Sequence, residues 1–163
     1  MKGIFPATTP YLGGDGIVTD SSCVKDAGEM APNVYATIAA IDPAHVPGAK
    51  SVIQQYDSKY GQQNRSGYAI IAYDCAGVLL DAISRAIDAN GGNMPKRSQV
   101  RDQMAKTSNY QGILGPVSFD EHGDTKSKII SVYEYTSSDP NQAASSPWKG
   151  AYDFGQTPPK FQS

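Results

Sequence analysis

Residues 68–89 constrain this chain more than any other stretch. From Tyr68 to Ala89 nearly every side chain is apolar or small, and Asn90-Gly91-Gly92 then supplies a helix stop. The polar residues Asp74, Asp81, Arg85 and Asp88 are spaced 7, 4 and 3 apart. At helical periodicity they fall on one narrow stripe, so the rest of the circumference is expected to pack against protein. A helix this apolar needs a sheet or other helices as cover. The sequence offers only three or four clear strands, whereas a parallel sheet covered on both faces normally has more. The missing strands are expected N-terminal to Met1, and residues 68–89 are expected to carry a large exposed apolar surface in the 163-residue chain.

The remaining elements follow from local signals. The Thr19-Asp20-Ser21-Ser22 run offers N-caps for a short helix over about 20–27, ended by Gly28. Residues Asn33–Ile41 are rich in β-branched and aromatic side chains and read as a buried strand closed by Asp42-Pro43. Ala49, Val52, Ile53, Tyr56 and Tyr60 fall on one face of a helix ending at Gly61. Arg97–Lys106 reads as a shorter helix with Val100 and Met104 inward. Beyond it, Ile113–Phe119 reads as a strand broken by Gly115-Pro116, residues 120–124 as a turn, and Lys128–Thr136 as a strand. From Ser137 onward the chain is rich in Ser, Pro, Gln and Gly, with one hydrophobic island from Trp148 to Phe154. The content is α/β.

Composition excludes several functions. A net charge of −2 gives no electrostatic case for nucleic acid or an anionic membrane surface. No apolar run approaches the roughly 20 residues of a membrane span, and the Met1-Lys2-Gly3-Ile4-Phe5-Pro6 start does not read as a signal peptide. Two cysteines, Cys23 and Cys75, lack zinc-ligand spacing. Burial as small apolar residues is the favoured reading, and pairing stays open. His45 and His122 sit beside turn residues with no nucleophile motif nearby. The acidic turn at 120–124 lacks the ligand spacing of a calcium loop. No cofactor motif is present; Gly13-Gly14-Asp15-Gly16 is not a phosphate loop. It is either a glycine-enabled turn or a loop holding one carboxylate at a crevice beyond a strand end, suited to a ligand ammonium. Tyr68, at the start of the long helix, is either a packing residue or an aromatic wall of a cleft.

Four segments in order carry a resemblance: Tyr11-Leu12-Gly13-Gly14-Asp15-Gly16, Tyr56-x-x-x-Tyr60-Gly61, Tyr68-Ala69-x-x-Ala72-Tyr73-Asp74, and Gly115-Pro116-Val117-Ser118-Phe119-Asp120-Glu121-x-Gly123-Asp124. Over about residues 4–136 the chain resembles the C-terminal part of the leucine/isoleucine/valine-binding proteins, type I periplasmic solute-binding proteins of ABC transporters. The resemblance implies a non-enzymatic, two-lobed α/β protein that closes on a small ligand, an amino acid of branched-chain type or a related solute. It implies crossings between lobes near Ala39–Asp42 and Asp124–Lys128. Residues 1–39 and 127–163 would lie in the C-terminal lobe and 40–126 in the N-terminal lobe, with the N-terminal half of the parent absent. It places the ligand-ammonium carboxylate at Asp15, with Gly14 beside it, and the cleft aromatic at Tyr68. The groups for the ligand carboxylate have no counterpart in this chain. A membrane permease is the implied partner, with no cofactor, and a periplasmic, extracellular or lipid-anchored location. A ligand-sensing regulatory domain of the same fold is the alternative.

Overall fold

The computed structural model describes residues 6, 8–18, 21–137, 139 and 148–163. The chain divides into two compact units: residues 1–42, 61–67 and 128–163 form one, and residues 43–60 and 68–127 the other.

The first unit is built on a five-stranded sheet whose strands, in spatial order, are β1 (Tyr11–Gly13), β2 (Val34–Ile38), β5 (Ile129–Glu134), β6 (Trp148–Asp153) and β7 (Lys160–Gln162). Strand β1 (Tyr11–Gly13) is followed by helix α1 (Ser21–Ala27) and strand β2 (Val34–Ile38). β1 and β2 pair in parallel, with Tyr11 opposite Val34 and Gly13 opposite Ala36. Strand β5 (Ile129–Glu134) pairs antiparallel with β2; strands β6 (Trp148–Asp153) and β7 (Lys160–Gln162) extend the sheet, also antiparallel. The sheet is therefore mixed: one parallel pair, with the other neighbours antiparallel. β7 has no clear signal in its three residues, whereas β6 coincides with the hydrophobic island at Trp148. Thr19 and Asp20, two of the expected N-caps, and residues 140–147 of the Ser/Pro-rich tail lie outside the described residues.

Alternation drives burial here. Val34, Ala36 and Ile38 on β2 and Ser131, Tyr133 and Tyr135 in and just beyond β5 point to one face and are each less than 9% exposed. Ala31, Val34 and Tyr135 form a core cluster against which Tyr11, Ile17, Cys23 and Ala27 pack. The Tyr135 hydroxyl donates to the Ile17 carbonyl, and the Trp148 indole donates to Ser131 Oγ at 3.2 Å. At the end of β2 the Ser131 amide donates to the Ala40 carbonyl, and the Tyr133 hydroxyl donates to Asp42 Oδ2 at 2.7 Å. The chain thus leaves this unit after Asp42 and, apart from the return of residues 61–67, re-enters it at Lys128 at one end of the sheet. Burial and the Asp42 carboxylate both hold the Tyr133 phenol well above its ordinary pKa.

The second unit contains helices α2 (Lys50–Tyr60), α3 (Ala69–Ala89) and α4 (Arg97–Ala105) and a hairpin of β3 (Tyr110–Gly112) and β4 (Gly115–Val117). The strand expected over 113–119 is instead the second arm of this hairpin, because Gly112-Ile113-Leu114-Gly115 forms the turn. Helix α3 ends where glycine permits it: Gly91 and Gly92 adopt φ of 65° and 83°, and the Gly92 amide donates to the Ile87 carbonyl. Contrary to an outward stripe, Asp74 is buried and Asp81 and Arg85 are partly buried against the rest of the unit, and of the four only Asp88 is exposed. Asp74 is 7% exposed, and its two oxygens accept the amides of Ile113 and Leu114 in the hairpin turn, both at 2.9 Å. Arg85 bonds Asp81 at 2.8 Å, the Gln103 carbonyl at 2.7 Å and Thr107 Oγ1 at 3.0 Å, tying α3 to the end of α4. Val78, Ala82 and Ala86 are buried alongside, while Tyr73, Leu79 and Leu80 are exposed.

Candidate functional site

Each expected site residue sits where strand and helix ends place it. In the first unit, β1 ends at Gly13, and Gly14 is extended (φ −80°, ψ −166°) before a single 3-10 turn over Asp15–Ile17. A Cβ at Gly13 would meet the end of the Ile17 side chain, so a larger residue there would make Ile17 shift where the turn folds back on the strand. The turn is closed by the Val18 amide donating to the Asp15 carbonyl at 3.2 Å. Gly14 and Asp15 are exposed, beyond the C-terminal end of a strand in a parallel pair. That is the position from which open α/β sheets present ligand-binding loops. A carboxylate is a hydrogen-bond acceptor of the kind that pairs with an ammonium group.

Tyr68 belongs to the second unit. It is the N-cap residue of α3, its carbonyl accepts the Ala72 amide at 2.8 Å, and the residue is 44% exposed. A half-exposed ring at a helix start presents an apolar face and a polar hydroxyl together. Asp15 and Gly14 thus share one loop of one unit, and Tyr68 occupies a helix start of the other.

Other residues weighed from sequence have structural roles. Asp120 folds its own turn, its carboxylate accepting the amides of His122 and Asp124 at 2.9 Å each. Among the described residues no cluster of His, Cys, Asp and Glu is arranged to hold a metal ion. No disulfide joins the two cysteines: Cys23 is half-buried in α1, and Cys75 is exposed on α3. The buried-apolar reading therefore fails for Cys75, because its side of α3 is not covered. Sequence reasoning missed the buried role of Asp74. The signal was available in the small residues Val78, Ala82 and Ala86, which continue its row at four-residue spacing and mark the side of close approach.

A mixed sheet with a glycine-flanked loop after a parallel strand, a helical second unit, and several passages of the chain between the two define the architecture as α/β. The family profile described as periplasmic binding protein matches residues 5–140, and the chain belongs to that family. A leucine-binding protein, LivK of Thermotoga maritima MSB8, superposes with a TM-score of 0.64 at 27% identity, covering 86% of this chain and 36% of that one. The branched-chain amino acid transporter substrate-binding protein LivJ of Streptococcus pneumoniae, solved with isoleucine, gives 0.59 at 26% identity, covering 91% and 37%. A Leu/Ile/Val-binding protein homolog of Brucella abortus is 35% identical over 60 residues, 37% of this chain and 15% of that protein. A solute-binding protein of R. palustris solved with benzoate is 20% identical with a TM-score of 0.56, a likeness of fold alone. The chain therefore spans little more than a third of the solved relatives it matches. Among the described residues no helix is long and apolar enough to cross a membrane.

Proposed function

We propose that these residues form part of the solute-binding component of an ABC transporter and that Asp15, with Gly14 beside it and Tyr68 as an aromatic wall, holds an amino acid of branched-chain type. The observation that carries the reading is the place of Asp15, an exposed residue on a glycine loop beyond the C-terminal end of β1. Its charge suits the ammonium of an amino acid, and the relatives named for leucine, isoleucine and valine agree with that chemistry. In this reading residues 1–39 and 127–163 lie in one lobe of a longer two-lobed protein and 40–126 in the other. Closure of the lobes stabilises the bound form, which a membrane permease reads outside the cytoplasm. The protein carries out no covalent chemistry.

The test is calorimetric titration of the longest natural polypeptide carrying these residues against leucine, isoleucine, valine and benzoate. Asp15→Ala is expected to weaken amino-acid binding at least tenfold, since an ammonium left unpaired in a closed cleft costs more than about 1.4 kcal/mol. Tyr68→Ala is expected to lose less and to change side-chain preference. Unchanged affinity for Asp15→Ala, with a lowered melting temperature, would reduce Asp15 to a stabiliser of its own turn. Benzoate binding that survives Asp15→Ala while no amino acid binds the parent would assign the site to a carboxylate without an ammonium.

A further inference from the structure

The turn that carries Asp15 is too short to hold itself. Asp15–Ile17 is a single 3-10 turn, closed by the Ile17 amide on the Gly14 carbonyl at 3.4 Å and the Val18 amide on the Asp15 carbonyl at 3.2 Å. Bonds of this length are weak, and an isolated 3-10 turn is marginal on its own. Its last residue is fixed from far along the chain. The Tyr135 hydroxyl donates to the Ile17 carbonyl across a separation of 118 residues. Tyr135 is buried, and its own amide donates to the Val34 carbonyl at 3.0 Å. The Ile17 side chain packs on the cluster of Ala31, Val34 and Tyr135. Val34 in turn stands opposite Tyr11 on β1, the strand that leads into the loop. Both ends of the Asp15 loop are thus tied to the same buried group.

We infer that Tyr135 is a positioning residue for the solute site: its hydroxyl, acting through the Ile17 carbonyl, holds the Asp15 turn in the arrangement that meets a ligand ammonium. Core filling alone does not call for tyrosine, because phenylalanine supplies the same ring with no hydroxyl to bury. A buried hydroxyl is costly unless it is bonded. Here its bond goes to the backbone of the turn, two residues from Asp15. A turn already ordered in the free protein loses little freedom when ligand arrives, and the entropy cost avoided at that moment appears as affinity. The bond itself is made with and without ligand, so its contribution to folding cancels from the affinity and only its effect on the order of the turn remains. That difference separates a positioning role from a packing role. Tyr135 acts only through Asp15, so its assignment rests on the reading of Asp15 as the partner of the ammonium.

The test uses the longest natural polypeptide carrying these residues, with leucine, isoleucine and valine as probes. Tyr135→Phe is expected to weaken binding about three- to tenfold per folded molecule, counted from the titration stoichiometry. In an Asp15→Ala background the same change should have no further effect, because the ordered turn then has no carboxylate to present; neighbours that act as a unit are non-additive in this way. Ile17→Ala, which removes the side chain seating the turn on the core, should behave alike in both backgrounds and replaces Tyr135→Phe should that variant fold poorly. Without any ligand, hydrogen exchange at the Val18 amide should quicken about threefold or more in Tyr135→Phe relative to the Ser131 amide of β5, as a locally loosened turn requires. Unchanged affinity, an equal loss with and without Asp15, or unchanged relative exchange at Val18 makes Tyr135 a core residue and overturns its assignment alone. Affinity that Asp15→Ala leaves intact, or a parent that binds none of the three amino acids, overturns the reading of Asp15 and the role of Tyr135 with it.

Discussion

Asp74→Asn separates the observed role of the α3 polar stripe from the solvent-facing one its sequence suggests. In the structure the carboxylate is 7% exposed and takes one backbone amide on each oxygen, from Ile113 and Leu114. Hydrogen bonds to a charged group contribute about 1.5–3 kcal/mol each. Asparagine keeps one acceptor, now neutral, and turns an NH₂ towards the other amide, so one bond is lost and one weakened. The expected loss is about 2–4 kcal/mol, and about 3–5 kcal/mol for Asp74→Ala, which leaves both amides unsatisfied. Against a typical domain stability of 5–15 kcal/mol this is a large effect. Chemical denaturation followed by circular dichroism gives the total, and hydrogen exchange at Ile113 and Leu114 localises it. Both amides should lose protection before those of the α3 interior do. Gly112→Ala is an independent probe of the same contact, because its Cβ would lie 2.6 Å from Asp74 Oδ2. It should cost about 1–3 kcal/mol through overpacking. If Asp74→Asn and Asp74→Ala both stay within about 0.5 kcal/mol of the parent, as a solvated surface position would, with protection at 113 and 114 unchanged, the anchoring argument is wrong.

Two further perturbations follow from buried polar contacts. Arg85→Ala should cost about 2–3 kcal/mol, because its guanidinium bonds Asp81, the Gln103 carbonyl and Thr107; a loss under 0.5 kcal/mol in urea unfolding would show that α3 and α4 are held by apolar packing alone. Tyr133→Phe should cost about 1.5–3 kcal/mol at neutral pH through loss of the bond to Asp42. It should also flatten the alkaline limb of the stability curve. The folded phenol titrates above its ordinary value of 10, so in the parent its stabilisation is complete below pH 10 and is lost as the unfolded chain releases that proton at higher pH. One such proton corresponds to about 1.4 kcal/mol per pH unit, and identical slopes above pH 10 in parent and variant would remove Tyr133 from the account.

Local signals in the sequence reach a long way here, and they stop at the same physical boundary each time. Periodicity bounds α3 to within a residue, and the glycines at 91 and 92 end it where a positive φ is needed. The glycine-flanked loop at Asp15 and the helix-start position of Tyr68 are equally local, so spacing makes the positions of both residues readable, though not their roles. What periodicity cannot report is which side of a helix is covered, because cover comes from distant residues. The rule that polar means outward fails at Asp74 since the hairpin turn, some 40 residues on, brings two amides to its carboxylate. Two backbone donors and a neighbouring row of small side chains make a buried carboxylate tolerable there. Residue size decides the side better than polarity does. Gly77, Val78, Ala82 and Ala86 let Tyr110 and α4 come close, and Gly77 has no room for a Cβ beneath the Tyr110 ring. The bulky Tyr73 and Leu80 are left outward because nothing in the described residues is shaped to receive them.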